Sequence, residues 1–187
     1  LTMVSSIVEE IKKENPTFDI TKINYQDPKV YELFAKGKTE GIFQFESSGM
    51  KEKLNLLKPT EFNDIVAMNA LYRPGPMAQI EVYVRRKNKE EQVVYPHPHL
   101  EKILKDTYGV IVYQEQIMLI AVNFAHMSLN EADNMRRAVS KKKKEDLEYY
   151  GRIFVEKSVA AGYDLQVAKK LFDLIVTFAN YGFNKSH

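Results

Sequence analysis

The chain has 187 residues, 44% of them hydrophobic and 28% charged, which fits an ordinary soluble globule of one large domain or two small ones and excludes a disordered chain. It has no cysteine, so disulfide frameworks, thiolate zinc sites and thiol nucleophiles are excluded together. The formal charge of +2 hides a concentration: six of the nine residues from Arg136 to Lys144 are basic while the remainder is mildly acidic, a pattern that points to one specific anionic partner.

In chain order the dominant periodicity is helical. Met3, Val4, Ile7, Val8 and Ile11 form one apolar stripe that Asn15-Pro16 ends. Asp27 can cap a helix with Pro28 at its first position, with Val30, Leu33 and Phe34 as its buried face. Gly41 to Phe45 reads as a strand or an extended core segment. A helix from Gly49 to Leu57 turns Met50, Leu54 and Leu57 inward, and Thr60 caps another that carries Phe62, Ile65, Val66 and Leu71. Arg73-Pro74-Gly75-Pro76 must break it, since two prolines and a glycine cannot continue a helix.

Residues 77–87 read as helical, with Ile80, Tyr83 and Val84 on one side. Val110 to Tyr113 reads as a short strand before a buried helix from Glu115 to Met127. Ser128 and Glu131 have capping-box spacing and open a helix whose core stripe is Ala132, Met135 and Val139. Two amphipathic helices follow, near 145–161 and 165–180. The expected fold is therefore mainly α, with a few short extended segments.

The helix opened by Ser128 carries the strongest chemical signal. Arg137, Lys141 and Lys144 recur at i, i+4 and i+7, a row of fixed positive charge away from the core stripe. Beside it stands Arg136, and arginine forks hold phosphate oxygens bidentately. The lysine run also reads as a solvated face paired with Glu145, Asp146 and Glu148. By helix phase Lys142 points elsewhere than Lys141. Two further candidates are Arg73, in a loop stiffened by prolines, and the tail from Tyr181 to His187, where aromatics sit beside amide, amine, hydroxyl and imidazole groups. His97 and His99 lack partners at metal-ligand spacing, Walker-type glycine loops are absent, and Glu46 and Glu115 are isolated carboxylates. No run of 18 apolar residues occurs, so nothing argues for a membrane, and a cytoplasmic protein fits. A chain opening on Leu1 and stopping in a polar tail is expected to be a piece of something longer.

The blocks GIFQFESSGMK (41–51), ALYRPGPM (70–77), YGVIVYQEQIM (108–118), Ala132-Asp133 with Arg136-Arg137-Ala138, Lys141-Lys142-Lys143 and YGFNKSH (181–187) resemble, in this order, the alpha subunits of bacterial DNA polymerase III, a family C polymerase. The likeness is to the common alpha-subunit type, without an inserted proofreading exonuclease. It implies a multi-helix fingers domain, with residues 1–40 a helical lead-in from the palm and 41–187 the main fingers helices. It also implies that three metal-binding aspartates of the palm precede Leu1, so Mg²⁺ is held outside this chain and the fragment alone is inactive. On the same resemblance Arg136 and Arg137 contact the triphosphate of an incoming deoxynucleoside triphosphate. Lys51, Arg73, Gln114, Lys141, Lys185 and His187 match family motifs and are expected around the nucleotide. Tyr72, Tyr113 and Tyr181 are candidate pocket walls. Expected partners are deoxynucleoside triphosphates, primer-template DNA and the other polymerase III holoenzyme subunits. The competing reading is a nucleic-acid-binding or replisome interaction module without catalytic role.

Overall fold

Helix is the regular structure of the computed structural model, which describes residues 2–141, 143–179 and 181–185. Ten α-helices occur among these residues: α1 (Thr2–Glu14), α2 (Pro28–Ala35), α3 (Ser48–Leu57), α4 (Phe62–Leu71), α5 (Ile80–Lys87), α6 (Glu101–Leu104), α7 (Gln114–Ala125), α8 (Leu129–Lys141), α9 (Lys144–Ala160) and α10 (Leu165–Ala179). The Asp27 carboxylate caps α2 by accepting from Lys29 N at 2.9 Å, with Pro28 at the first position as expected. The inward face of α2 is corrected: Tyr31 and Phe34 are buried, three residues apart, while Val30 and Leu33 are turned outward. For α4 the cap is also corrected. Glu61, not Thr60, occupies the cap position, and the buried Asp64 carboxylate accepts from the amides of both residues, at 2.8 Å and 3.2 Å. Of the apolar residues the helix carries, Ile65 and Leu71 are buried, whereas Phe62, on its first turn, is exposed.

The apolar side chains gather into two clusters. The first takes Tyr31, Phe34, Phe45, the inner faces of α3, α4 and α5, and Val110, Val112 and Tyr113. The second takes Leu100, Leu104, Ile111 and the inner faces of α7 to α10. Val110 and Val112 therefore turn into the first cluster and Ile111 between them into the second, the period-2 geometry of extended chain, while Tyr113 breaks the alternation by joining the first. The expected strand is extended but has no partner strand among the described residues; its one bridge is parallel, Tyr113 to Phe183. Residues 41–45 form turns rather than a strand, because Gly41 and Gln44 both take positive φ.

Two buried polar side chains hold the 110–113 segment at its junction with α7. Gln116 Oε1 accepts from Val112 N (2.9 Å) and Tyr113 N (3.0 Å), and its Nε2 donates to Thr107 Oγ1 at 2.8 Å. Thr107 Oγ1 in turn donates to Val110 O at 2.7 Å. A buried network with these groups satisfied fixes the backbone that delivers Gln114.

The start of α8 forms as its sequence predicts. Ser128 N donates to Glu131 Oε2 at 2.7 Å, Glu131 N donates to Ser128 Oγ at 3.2 Å, and Ala132, Met135 and Val139 are fully buried. Glu131 also receives Lys157 Nζ of α9 at 2.8 Å, and this contact with the cap holds its carboxyl at about 2. A carboxyl whose folded pKa is depressed adds stability that is complete above its unfolded value and lost as pH falls through the folded one. The Glu131→Gln chain should thus melt below wild type near neutral pH, with the gap closing from about pH 4.5 towards pH 2. Thermal midpoints of both chains across that range check this, and a gap independent of pH would refute it.

Candidate functional site

Four stretches converge on one part of the surface: the loop after α4, the N-terminus of α7, the middle of α8 and the tail at 181–185. Arg73 follows the last turn of α4, and its Nε donates to Ala70 O at 2.8 Å, satisfying a carbonyl that the ending helix leaves open. Its Nη2 donates to Tyr181 O at 2.7 Å and its guanidinium lies 4.9 Å from the Phe183 ring centre. Burial here pulls the guanidinium pKa down from its ordinary value. The loop then turns at Gly75, with φ 105° and ψ −72°, and a Cβ there would lie 2.1 Å from a ring carbon of Tyr181.

The tail is bonded at nearly every step. Phe183 N donates to Val112 O (3.1 Å) and Gln114 N donates to Phe183 O (3.0 Å). Gln114 Nε2 donates to Gly182 O at 3.1 Å. Lys185 N donates to the Glu115 carboxylate at 3.3 Å, and Lys185 Nζ stands 5.2 Å from the Tyr113 ring centre. The Tyr113 ring is itself core, 3% exposed, and burial raises its hydroxyl pKa.

Gln114 connects the tail to α8, because its Oε1 accepts from Arg136 Nη1 at 3.1 Å. Arg136 also donates through Nε and Nη2 to Asp133 Oδ1, at 3.0 and 2.7 Å, and Arg137 Nη2 reaches Asp133 Oδ2 at 2.8 Å. One carboxylate is thus shared by two guanidiniums, and the Arg136 contact holds the Asp133 carboxyl below its usual range. The arginines differ in exposure: the Arg136 side chain is 18% accessible, that of Arg137 64%. Arg137 and Lys141 border a surface hollow of about 230 Å³ with Asn134, Asp146 and Tyr150.

The expected Arg137–Lys141–Lys144 row is corrected at its last member. Lys143 is extended and caps α9, so Lys144 opens that helix with a new phase and sits 3.9 Å from Glu148, in the solvated pairing. Lys51 stands on α3 with Glu40 2.5 Å away and joins none of these bonds. Lys142, Ser186 and His187 lie outside the described residues. Asp133 and Glu115 join the expected site residues, and for Glu115 this corrects its reading as an isolated carboxylate. The first was legible as an i, i+3, i+4 relation to the arginines; the second depends on a tail 70 residues away. The largest cleft described, about 620 Å³, lies elsewhere, lined by Val82, Arg86, Ile111, Leu171 and Phe178 among others. Among the described residues no group of three or more His, Asp or Glu side chains could hold a metal ion.

The family model of the bacterial DNA polymerase III alpha subunit finger domain matches residues 1–162. The chain belongs to that family. The finger domain's likeness to full subunits runs further, across the whole chain. It is 54% identical over 188 aligned residues to DNA polymerase III subunit alpha of Bacillus subtilis (strain 168), covering 17% of that protein. The same subunit of Staphylococcus aureus (strain COL) is 50% identical, with 18% of it covered, and that of Halalkalibacterium halodurans 50%, with 17% covered. The chain thus spans about a sixth of the length of the curated relatives it matches. In this chain Arg73, Gln114, Arg136 and the backbone of 181–185, the last beyond the stretch matched by the finger-domain model, form one connected set, with Arg137 and Lys141 on the adjoining surface. No helix among the described residues is long and apolar enough to cross a membrane.

Proposed function

We propose that this finger domain is part of a DNA-directed DNA polymerase of bacterial chromosome replication, where it holds the triphosphate of an incoming deoxynucleoside triphosphate above the templating base. The observation that carries the reading is the pair Arg136 and Arg137, adjacent on a capped helix whose opposite face is wholly buried. A helix anchored in this way keeps cationic forks at fixed positions, which is what neutralising the charge of a transferring phosphoryl group requires. Arg73 and Gln114 spend their described hydrogen bonds on Ala70, the tail and Arg136, so their part is to seat Tyr181 and Gly182 beside the nucleotide. Lys185 and Lys141 flank the site, Lys51 of α3 is a further proposed member, and His187 is proposed as one on the motif it shares with the family.

The described residues do not fit a Mg²⁺ site, as no carboxylate cluster of the needed size is present among them. The reading assigns Mg²⁺ to palm carboxylates outside this chain, and no step of it passes through a metal bound here. The remaining proposed partners are primer-template DNA and the other holoenzyme subunits, in the cytoplasm, with residues 1–40 leading in from the palm.

In the intact polymerase, Arg136→Ala or Arg137→Ala should lower kcat/KM for nucleotide by about one to two orders of magnitude, the worth of a charge-assisted phosphate contact of roughly 1.5–3 kcal/mol. DNA affinity should stay near wild type. Single-nucleotide incorporation kinetics beside a DNA titration at two salt concentrations decide the matter. Weakened DNA binding with unchanged nucleotide kinetics would move both arginines to the DNA track.

A further inference from the structure

We propose that Asp133 is a positioning residue of the nucleotide site, whose shared carboxylate fixes Arg136 in place and leaves Arg137 as the movable arm. The inference rests on the reading of Arg136 and Arg137 as phosphate ligands. Arg136 is held from three sides: Nε and Nη2 on Asp133 Oδ1, and Nη1 on Gln114 Oε1. Of its five N–H groups these bonds engage three, so two remain for a phosphate oxygen. Arg137 touches the same carboxylate through a single nitrogen and is 64% accessible, so it can release Asp133 and reach outward at little cost. Without an anion opposite them, two guanidiniums one residue apart on a helix would repel each other and splay. Asp133 lies one turn back on the same face, and its two oxygens take one guanidinium each.

The arrangement does two separable things. It lowers the net charge of the cluster, which weakens ground-state attraction for any polyanion. It also prearranges the fork of Arg136, which matters most where charge develops in the transition state. Orientation and affinity should therefore part company when the charge of Asp133 is removed.

The test uses the intact polymerase with Asp133→Asn and Asp133→Glu, alongside Arg136→Ala and Arg137→Ala. For Asp133→Asn the incorporation rate at saturating nucleotide should fall about tenfold or more, as expected for a misplaced reacting geometry. Nucleotide KM should stay equal or drop, because the site has gained a unit of positive charge. DNA affinity and thermal midpoint should stay near wild type. Asp133→Glu keeps the charge and should recover part of the rate. Wild-type kcat and KM for Asp133→Asn would overturn the proposal. So would a loss of rate matched by a loss of folded protein in both Asp133 variants, which is the signature of a merely structural acid. If the arginine variants change DNA affinity instead of nucleotide kinetics, the reading of the site itself fails, and Asp133 fails with it.

Discussion

An alanine at position 75 is expected to cost the intact polymerase about 10²-fold in nucleotide incorporation while leaving it folded. Gly75 has φ 105°, a conformation that an L side chain rarely adopts, and the ring of Tyr181 fills the space a Cβ would take, with three ring carbons at 2.1 to 2.5 Å. The ring must retreat by more than 1 Å to reach ordinary contact distance. That retreat works against the Tyr181 carbonyl, which Arg73 holds at 2.7 Å, and so displaces the tail beside the arginine pair. Backbone strain alone costs about 1–3 kcal/mol, roughly 2–12 °C in thermal midpoint for a domain of this size. Gly162→Ala separates the two effects, because Gly162 also has positive φ, 96°, but nothing lies within 4 Å of its Cβ position. It should lose stability and keep its kinetics. Parallel kinetic losses in the two variants would show that the Tyr181 contact carries nothing.

The largest stability loss is expected at Phe124. Its ring is 1% exposed and stacks on Tyr163 with centroids 3.7 Å apart at 16°. It also lies near parallel to Phe154 at 6.3 Å and meets the His97 ring edge-on at 5.3 Å. Truncation to alanine removes the centre of this group and leaves a cavity between α7, α9 and the loop at 97–99. A buried Phe→Ala change costs about 3–5 kcal/mol, which corresponds to a midpoint lower by roughly 6–20 °C. Phe124→Leu keeps the site apolar and much of its volume, and should cost less. Thermal unfolding followed by far-ultraviolet circular dichroism measures both. A fall of under about 3 °C for Phe124→Ala would mean that the cluster repacks around the gap.

How much of this was legible depends on how far apart the interacting residues lie. The start of α8 could be read residue by residue, because its cap and its core stripe are relations within one or two turns. The same local logic misplaced Lys144, since no glycine or proline marks the break at Lys143. On α2 it chose the wrong apolar residues: Val30, Tyr31, Leu33 and Phe34 are all hydrophobic, and only the position of the neighbouring α3 decides which pair turns inward. The site shows the same division. Basic residues on α8 stand out in the sequence, whereas the bonds that spend Arg73 and Gln114 on the tail span 108 and 68 residues. Periodicity carries no information over such distances. The His97 and His99 rings, rejected as metal ligands for want of partners, stand in the aromatic group around Tyr163.

The 108-residue separation between Arg73 and Tyr181 has a consequence for synthesis on the ribosome. At about 5–20 residues per second, roughly 5 to 20 s pass between the emergence of the proline loop and that of the tail that closes on it. During that interval α5 and then residues 110–113 emerge to complete the first cluster, yet the Arg73 guanidinium still lacks its carbonyl and Gly75 faces open space. Closing so long a loop is slow and entropically unfavourable until both clusters exist to hold its ends. The face built from Arg73, Gln114, Arg136 and the tail is therefore the last part of the chain to close, and a nascent chain paused before residue 181 presents the arginines of α8 with no tail beside them.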